Sequence, residues 1–342
     1  MGVSARLFLP SYSVKETGRR LPLILYFHGG AFCTGSAFSL LFHRYAASLS
    51  AGTGALIVSV DYGLAPERPI PAAYDDAWAA LLWAYSSSDP WIASYADPAC
   101  TFLAGESAGA NIAHNVALRA GKGIAIKGLI LLHPFFWGSE RLPCETDHGR
   151  HDVPMFALDR VDALWPFVTA GTASNDDPRV NPPSEQIVSL QCQRVLVGVA
   201  GKDVFRDRGR RYVAELRDGA WSGEVTLIES EGEDHCFHLH RPSRASATTL
   251  MDHVVQFVNQ RTTTSAGTIA MTPSQFNTSD GDQGKIRASG VVRAQILVSS
   301  NGRQPCKAFV SARRMSRNAS KFIPAQVPVV PLRTGRFYIS RV

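Results

Sequence analysis

TFLAGESAGANIAHNVALRA, residues 101–120, is the stretch of sequence that decides the fold. Its apolar run Thr101–Ala104 predicts a buried strand, and Ala108–Ala120 predicts a helix. Gly105-Glu106-Ser107-Ala108-Gly109 joins the two with the spacing G-x-S-x-G. In such a tight turn the serine backbone is strained, its hydroxyl is lifted out of the sheet, and the residues two before and two after it must be small. The stretch therefore predicts an α/β fold with Ser107 as a nucleophile.

The rest of the first 260 residues continues the alternation of strands and helices that is typical of a mostly parallel α/β sheet. Strands are predicted at Leu21–Phe27, Ala55–Val60, Thr101–Ala104, Gly128–Leu132, Arg194–Val199 and Glu224–Ile228. Helices are predicted at Pro71–Tyr85, Ala108–Ala120, Arg208–Arg217 and Ala247–Asn259. Because the strands are almost continuously apolar, we expect helices on both faces of the sheet, in a three-layer sandwich.

Two segments depart from this pattern. Residues 135–183 are long, contain Pro and Asp, and lie between two predicted strands, where a lid or cap insertion would fit. Residues 262–342 carry 12 Lys+Arg against 2 Asp+Glu and begin with a stretch rich in Thr, Ser, Gly, Gln and Asn. We therefore expect one α/β domain over residues 1–261, followed by a disordered basic tail.

Composition argues against several functional classes. The net charge of +6 comes from the tail, whose cations are dispersed and lack interleaved aromatic residues, so no nucleic-acid partner is expected. The six cysteines form no C-x-x-C pair and no histidine cluster has zinc-ligand spacing, which predicts a reducing compartment and no metal. No apolar run reaches the ~18 residues of a membrane span, and residues 1–10 do not resemble a signal peptide. The expectation is a cytoplasmic protein that contacts no membrane.

A glycine pair follows the first predicted strand. His28-Gly29-Gly30-Ala31 comes directly after Leu21–Phe27. Acyl transfer puts negative charge on the former carbonyl oxygen, and backbone N–H groups from a loop with little side-chain bulk stabilise it. Gly29 and Gly30 are predicted to supply two donors of this oxyanion hole, and the amide of Ala108 a third. The alternative is a plain strand-end turn, which Gly-Gly often makes.

Chain order then gives candidates for the acid and the base, because a serine nucleophile of this type is followed by Asp or Glu and then by His. Asp203 lies just beyond the strand Arg194–Val199 and is the predicted acid, with Asp207 as the alternative. His235 follows the strand Glu224–Ile228 and is the predicted base. It would accept the serine proton while the acid fixes its tautomer.

Other histidines compete with His235 for the role of base. His238 and His240 are the nearest in the sequence, and His253 falls in a helical pattern. Five more, among them His114 and His133, lie before the acid or outside the loop that should follow it. An arbitrary histidine is more often a surface or core residue than a catalyst, and chain order is what favours His235.

Together these motifs resemble those of the plant carboxylesterases, in the hormone-sensitive-lipase-like group of α/β-hydrolases. The matching stretches are His28-Gly29-Gly30-Ala31-Phe32, Asp61-Tyr62-Gly63-Leu64-Ala65-Pro66-Glu67, Gly105-Glu106-Ser107-Ala108-Gly109, Asp177-Pro178-Arg179-Val180-Asn181-Pro182 and Asp234-His235-Cys236-Phe237-His238-Leu239. The resemblance implies an α/β-hydrolase fold and hydrolysis of short-chain carboxylic esters, small-molecule substrates, without a cofactor. It assigns the triad to Ser107, Asp203 and His235, with His28, Gly105, Glu106 and Gly109 in supporting motif positions.

The chain also departs from that family's pattern. Ala31 stands where many relatives have a third glycine, which narrows the pocket beside the oxyanion hole. Gly63 stands where arginine is common, which implies the loss of a local ion pair. In relatives, the stretch corresponding to Met1–Pro10 is an early strand preceded by a first strand and N-terminal cap helices, so the resemblance implies that this cap is lacking here.

Two other functions are compatible with the same scaffold. The 2-hydroxyisoflavanone dehydratases and tuliposide-converting enzymes resemble these esterases and can keep a similar triad, so a lyase is the alternative reaction. The gibberellin receptors also resemble them but have lost the triad histidine and hold hormone beneath an N-terminal lid. Because His235 is present, hormone binding is the less favoured alternative.

Overall fold

The computed structural model describes residues 2–10, 20–86, 89–121, 123–146 and 157–260, and the backbone of 292–293 and 336–341. Its strands are β1 (Ser4–Leu9), β2 (Leu21–Phe27), β3 (Leu56–Asp61), β4 (Ala96–Glu106), β5 (Gly128–Leu132), β6 (Arg194–Ala200), β7 (Glu224–Ser230), β8 (Val292–Arg293) and β9 (Arg336–Arg341). Its α-helices are α1 (Leu40–Thr53), α2 (Ala72–Tyr85), α3 (Pro90–Tyr95), α4 (Ala108–Ala120), α5 (Leu158–Val168), α6 (Ser184–Ile187), α7 (Arg206–Asp218), α8 (Phe237–His240) and α9 (Ala245–Asn259).

The strands form one sheet in the order β7-β6-β5-β4-β2-β3-β1-β9-β8. All neighbouring strands are parallel except β1 against β3 and β8 against β9. Strand β2 lies between β3 and β4, so the chain leaves β2 toward one side of the sheet and later continues from β4 toward the other. In open α/β sheets, ligands bind beyond the carboxyl ends of the strands at such a reversal. The ends of β2 and β4 are therefore where the site is expected.

Two hydrophobic clusters cover the two faces of the sheet. Leu25, Leu103 and Leu131 point into the cluster that contains α2, α4 and α7. The preceding residue of each strand points to the opposite face, where α1 and α9 pack. This alternation follows from the two-residue repeat of a strand. The three-layer α/β sandwich predicted from the sequence is confirmed.

All six predicted strands and all four predicted helices are present, with ends that differ by a few residues. Helix α1 was not predicted. Its buried side chains are Phe42, Ala46, Leu49, Ser50 and Thr53. Their spacing is helical, but two of them are polar, so the apolar stripe is weak in the sequence. Both hydroxyl groups are satisfied by backbone carbonyls, which is what permits their burial.

Part of the predicted insertion at residues 135–183 is described, and it is anchored firmly to the sandwich. A short 3₁₀ helix, Pro143–Glu145, and α5 belong to it. Glu145 is fully buried and accepts a hydrogen bond of 2.6 Å from Nε of Arg208, on α7. Trp137 donates its backbone N–H to the carbonyl of Val180. The base of the insertion is thus fixed, while its role as a lid stays a prediction.

The predicted tail, residues 262–342, lies outside the described residues except for two short segments. Both are strands: β8 pairs with β9, and β9 pairs in parallel with β1 over Ser4–Leu9. At these two segments the structure has strands where the sequence predicted disorder.

Candidate active site

Ser107 lies at the tight turn between β4 and α4, as the sequence predicts. Its backbone has φ 55° and ψ −120°, a strained conformation for a residue with a side chain. A Cβ on Gly105 would lie 2.4 Å from the carbonyl carbon of Gly109, and a Cβ on Gly109 would lie 1.9 Å from the oxygen of Phe27. Close backbone packing therefore requires small residues on both sides of Ser107, and Gly105 and Gly109 meet this requirement.

Backbone hydrogen bonds fix Ser107 against the end of β5. Its N–H donates to the carbonyl of Leu132 at 2.9 Å, and its carbonyl accepts from the N–H of Phe135 at 3.1 Å. The residue also precedes the first turn of α4, where the helix dipole favours negative charge. The strained backbone is thus held from two sides.

The buried Asp203 and the half-buried His235 form a hydrogen-bonded pair. Oδ2 of Asp203 lies 2.6 Å from Nδ1 of His235, and its Oδ1 accepts the N–H of Phe205 at 3.0 Å. Burial by itself raises the pKa of Asp203, but the His235 imidazole and the hydrogen bonds outweigh burial, so the pKa is lowered. The carboxylate is therefore ionised at neutral pH and orients a His235 that carries its proton on Nδ1.

Two sets of contacts bring His235 toward Ser107. The ring of His133, directly after Leu132, lies 5.8 Å from the ring of His235. On the other side, the ring of Phe205 lies 5.2 Å from that of His235 and 5.1 Å from that of Phe135. Leu132 and Phe135 both form hydrogen bonds with the Ser107 backbone. The acid, the base and the serine therefore lie at the same end of the sheet.

The competing acid and bases have other environments. Asp207 accepts the N–H of Cys144 and pairs with Arg206 and Arg210, whereas the described carboxylate partner of His235 is Asp203. His238 is buried, and its ring nitrogens hydrogen-bond to none of the described residues. His240 is exposed. Of the candidates, the structure brings together Asp203 and His235.

The oxyanion loop differs from the sequence prediction at one position. The amide of Gly29 donates to Oε1 of Glu106 at 2.6 Å, so it is committed and cannot serve as the predicted oxyanion donor. Within the part of the chain that the structure describes, the amides of Gly30, Ala31 and Ala108 donate to no other residue. This hydrogen bond argues against Gly29 as an oxyanion donor, and Ala31 is the candidate that replaces it.

Glu106 is a buried carboxyl group that joins the oxyanion loop to the nucleophile turn. Besides the amide of Gly29, it accepts a hydrogen bond from the hydroxyl of Tyr26 at 2.7 Å. Burial raises the pKa of Glu106 to about 8, although these two hydrogen bonds act in the opposite direction. The carboxyl group is therefore largely protonated at neutral pH, directly beside Ser107.

His28 fixes the same loop from the other side. Its Nδ1 lies 2.7 Å from the carbonyl oxygen of Gly29, and its own carbonyl accepts the hydroxyl of Tyr62 at 2.6 Å. Burial lowers the pKa of His28 to about 4, so the ring is neutral and donates from Nδ1. Both peptide groups that flank the Cα of Gly29 are thus held.

Comparison with known proteins identifies the family. A model described as the alpha/beta hydrolase fold matches residues 24–239. The chain belongs to the α/β-hydrolase family. Probable carboxylesterase 3 of Arabidopsis thaliana is 41% identical over 266 residues, which cover 75% of this hydrolase and 82% of that protein.

Two other similar proteins extend the comparison. A 2-hydroxyisoflavanone dehydratase of Glycyrrhiza echinata is 38% identical over 75% of this hydrolase and 81% of that protein. Among solved structures, the hyperthermophilic esterase from the archaeon Pyrobaculum calidifontis has a TM-score of 0.60 at 25% identity. That similarity covers 70% of this hydrolase and 77% of the esterase chain.

An ion pair lies beside Gly63 although glycine has no charged side chain. Asp76 accepts the N–H of Gly63 and pairs through both oxygens with the guanidinium of Arg68. A Cβ on Gly63 would collide with that guanidinium. In this hydrolase Arg68 therefore occupies the space beside Gly63, and the expectation of a lost ion pair is wrong.

Several residues that shape the site were not predicted. Tyr26 and Tyr62 lie within or just after predicted strands and were not distinguished from core residues. His133 precedes the acid in the chain, so chain order gives it no catalytic role. Their contacts with Glu106, His28 and Cys236 are long-range, so no local pattern indicates them.

Other observations bear on possible ligands and partners. Across the described residues, no group of three or more His, Cys, Asp or Glu side chains could hold a metal ion. In the same part of the hydrolase, no helix has the length and apolar character needed to cross a bilayer. The five cysteines that are described are all free thiols.

Replacing Glu106 by Gln is expected to change how stability depends on pH. A carboxyl group in an unfolded chain titrates near ~4.3, whereas burial raises the pKa of Glu106 to about 8. Between these values only the folded wild type keeps the proton, so its stability falls as pH rises, by an amount on the order of a few kcal/mol. The Gln side chain has no such proton. The melting temperature of the variant minus that of the wild type should therefore increase as the pH is raised from about 5 to about 8.

The matched control for Glu106→Gln is Glu185→Gln, because Glu185 is an exposed residue on α6. Its difference in melting temperature from the wild type should stay constant over the same pH range. A constant difference for Glu106→Gln as well would contradict the assignment of a protonated Glu106.

Proposed function

We propose that this protein is a serine carboxylesterase that cleaves carboxylic esters through an acyl-enzyme on Ser107, with His235 as general base and acid. The observation that carries the proposal is the part-buried 2.6 Å hydrogen bond between Asp203 and His235, at the end of the sheet where Ser107 has its strained backbone. The relatives support ester hydrolysis as the reaction class, since carboxylesterases and esterases are among them.

Acylation begins when Oγ of Ser107 attacks the ester carbonyl carbon. Nε2 of His235 takes the hydroxyl proton, and the ionised Asp203 stabilises the imidazolium that forms. The carbonyl π electrons move to oxygen, and the amides of Gly30, Ala31 and Ala108 stabilise the resulting negative charge. The tetrahedral intermediate then re-forms its carbonyl and breaks the bond to the alcohol oxygen, which receives the proton from His235.

Deacylation repeats these steps with water as the nucleophile. His235 removes a proton from water while the water oxygen attacks the acyl carbon, and the same amides hold the oxyanion. Collapse breaks the bond to Oγ of Ser107, which takes the proton back from His235. The products are one carboxylic acid and one alcohol, and the enzyme returns to its starting state.

Aromatic packing beside the oxyanion loop supports a preference for short acyl chains. Phe32 lies at the centre of a cluster in which its ring is 5.9 Å from that of Phe135 and 5.8 Å from that of Trp165. Phe32 and Trp165 are buried. A long acyl chain on this side would have to displace these rings, and Trp165 belongs to the 135–183 insertion, the proposed lid. The cytoplasmic location and the lack of a nucleic-acid partner remain predictions from the sequence.

Elimination of water is the second candidate reaction, because the relative from Glycyrrhiza echinata is named a dehydratase. A basic His235 could remove a proton from carbon instead of from Ser107 Oγ. Such a reaction would release water and an unsaturated product, without an acyl-enzyme. The two reactions therefore differ in their products and in whether they require the serine oxygen.

We expect the purified protein to release p-nitrophenol and butyrate in equal amounts from p-nitrophenyl butyrate, because each turnover splits one ester bond. The rate should fall with p-nitrophenyl esters of longer acids. A 2-hydroxyisoflavanone, incubated in parallel and analysed by chromatography, should be recovered intact. Water loss from that compound, with no ester turnover by the folded protein, would instead establish the elimination reaction.

A further inference from the structure

His133 is a buried histidine that lies next to the triad and has no part in the proposed reaction steps. It follows β5 directly, has φ +47°, and is 1% exposed. Its ring lies 5.8 Å from that of His235, 5.6 Å from that of Phe237 and 5.2 Å from that of His238. Phenylalanine would fill such a place at a lower desolvation cost, so the ring nitrogens need an explanation.

The backbone of His133 connects two of the three segments that carry the triad. The carbonyl of Leu132 accepts the N–H of Ser107 at 2.9 Å. The N–H of the same peptide unit, which belongs to His133, donates to the carbonyl of Gly198 on β6 at 2.7 Å. Strand β6 leads into Asp203. One peptide group therefore joins the nucleophile turn to the strand of the acid.

The side chain of His133 connects the third segment. Its Nδ1 lies 3.2 Å from the backbone nitrogen of Cys236, the residue after His235. The amide is the donor, so Nδ1 must be unprotonated and the ring must be the neutral Nε2–H tautomer. Burial lowers the pKa of His133 to about 3, with Asp203 acting to raise it and His235 to lower it. The ring can thus accept this hydrogen bond at any pH where the enzyme would work.

We propose that His133 is a positioning residue for the catalytic base: its neutral imidazole accepts the amide hydrogen of Cys236 at Nδ1 and fixes the His235 loop at the end of β5. The proposal rests on the function proposed above. The amide of Cys236 belongs to the peptide group that is bonded to the Cα of His235. Loss of its hydrogen bond would therefore let the imidazole move relative to Oγ of Ser107. A displacement of about 1 Å in such a site can cost roughly 10²-fold in rate.

A pair of substitutions separates the hydrogen bond from the packing. In His133→Asn, Oδ1 takes the place of Nδ1, and Asn tolerates positive φ. In His133→Gln the acceptor oxygen lies one bond farther out, so the Cys236 amide loses its partner. The matched control is His114→Gln, because His114 is equally buried and its Nδ1 bonds to Tyr212 away from the site.

We expect kcat for p-nitrophenyl butyrate to fall roughly 10- to 100-fold in His133→Gln with KM nearly constant, and about threefold or less in His133→Asn. His114→Gln should lower the melting temperature but keep its kcat. Wild-type kcat in a folded His133→Gln variant would overturn the proposal. An equal loss of kcat in the Asn and Gln variants would also overturn it, because the effect would then come from packing alone.

A measurement on the wild-type protein tests the same point even if the Gln variant does not fold. Long-range ¹H–¹⁵N correlation spectra of the imidazole groups distinguish the two neutral tautomers, and the His133 signals are those absent from His133→Asn. We expect an unprotonated Nδ1 and a protonated Nε2 at neutral pH. A protonated Nδ1 would overturn the proposal. An inactive wild type with the expected tautomer would count against the proposed reaction and leave the loop contact supported.

Discussion

Replacing Ser107 by alanine is expected to reduce kcat for p-nitrophenyl butyrate by roughly 10⁶-fold, the scale of loss when a triad serine is removed. The reason is that the acyl-enzyme cannot form without Oγ. Alanine keeps the Cβ, so the strained backbone at φ 55° and its hydrogen bonds to Leu132 and Phe135 should persist. The variant should therefore fold with nearly the wild-type melting temperature, and the loss can be attributed to chemistry.

The control for Ser107→Ala is Ser189→Ala, which removes a hydroxyl that donates to the carbonyl of Gln186 at an exposed turn. Its kcat should stay within about twofold of the wild type. A fluorophosphonate should label the wild type and Ser189→Ala, but not Ser107→Ala. Substantial ester turnover by a folded, unlabelled Ser107→Ala variant would rule out the acyl-enzyme mechanism, and a water-attack or elimination mechanism would have to replace it.

The sequence predicts the nucleophile turn well because the residues that define its pattern are local, although Phe27, Leu132 and Phe135 also pack against it. Strand, glycines, serine and helix lie within residues 101–120, and the close approach of Gly105 to Gly109 depends on that stretch alone. Chain order extends the prediction to Asp203 and His235, since in a parallel sheet the loops after successive strands meet at one edge. The pairing of these two residues in the structure agrees with that inference.

Local reasoning fails where a role depends on a distant partner. Gly29 has the right position and size for an oxyanion donor, yet Glu106, 77 residues away, takes its amide hydrogen. Gly63 has no charged side chain, but the carboxylate of Asp76 still forms an ion pair, because the guanidinium of Arg68 reaches it. Tertiary contacts decide both outcomes, so the sequence locates the oxyanion loop but not which of its amides are available.

Replacing Asp203 by asparagine is expected to lower kcat by roughly 10⁴-fold, the loss known for this change in a serine protease triad. The structure gives a specific reason. Oδ1 of Asp203 accepts the N–H of Phe205, which an amide oxygen can also do, so this contact fixes the orientation of the new side chain. Its NH₂ group then faces Nδ1 of His235, which must become an acceptor and carry its proton on Nε2. That tautomer cannot accept the proton of Ser107.

The matched control is Asp207→Asn, because Asp207 is four residues farther along and was the alternative acid. It pairs with Arg206 and accepts the amide of Cys144, so its neutralisation should change kcat by about threefold or less while lowering stability. His240→Ala, at an exposed position beyond His235, should likewise keep its activity, whereas His235→Ala should lose about as much as Ser107→Ala. If Asp203→Asn kept most of its kcat while Asp207→Asn lost it, the acid would have to be reassigned and the orientation of His235 explained through another residue. If both Asp203→Asn and Asp207→Asn kept most of their kcat, His235 would need no carboxylate. The loop contact through His133 would then become the main interaction that orients His235.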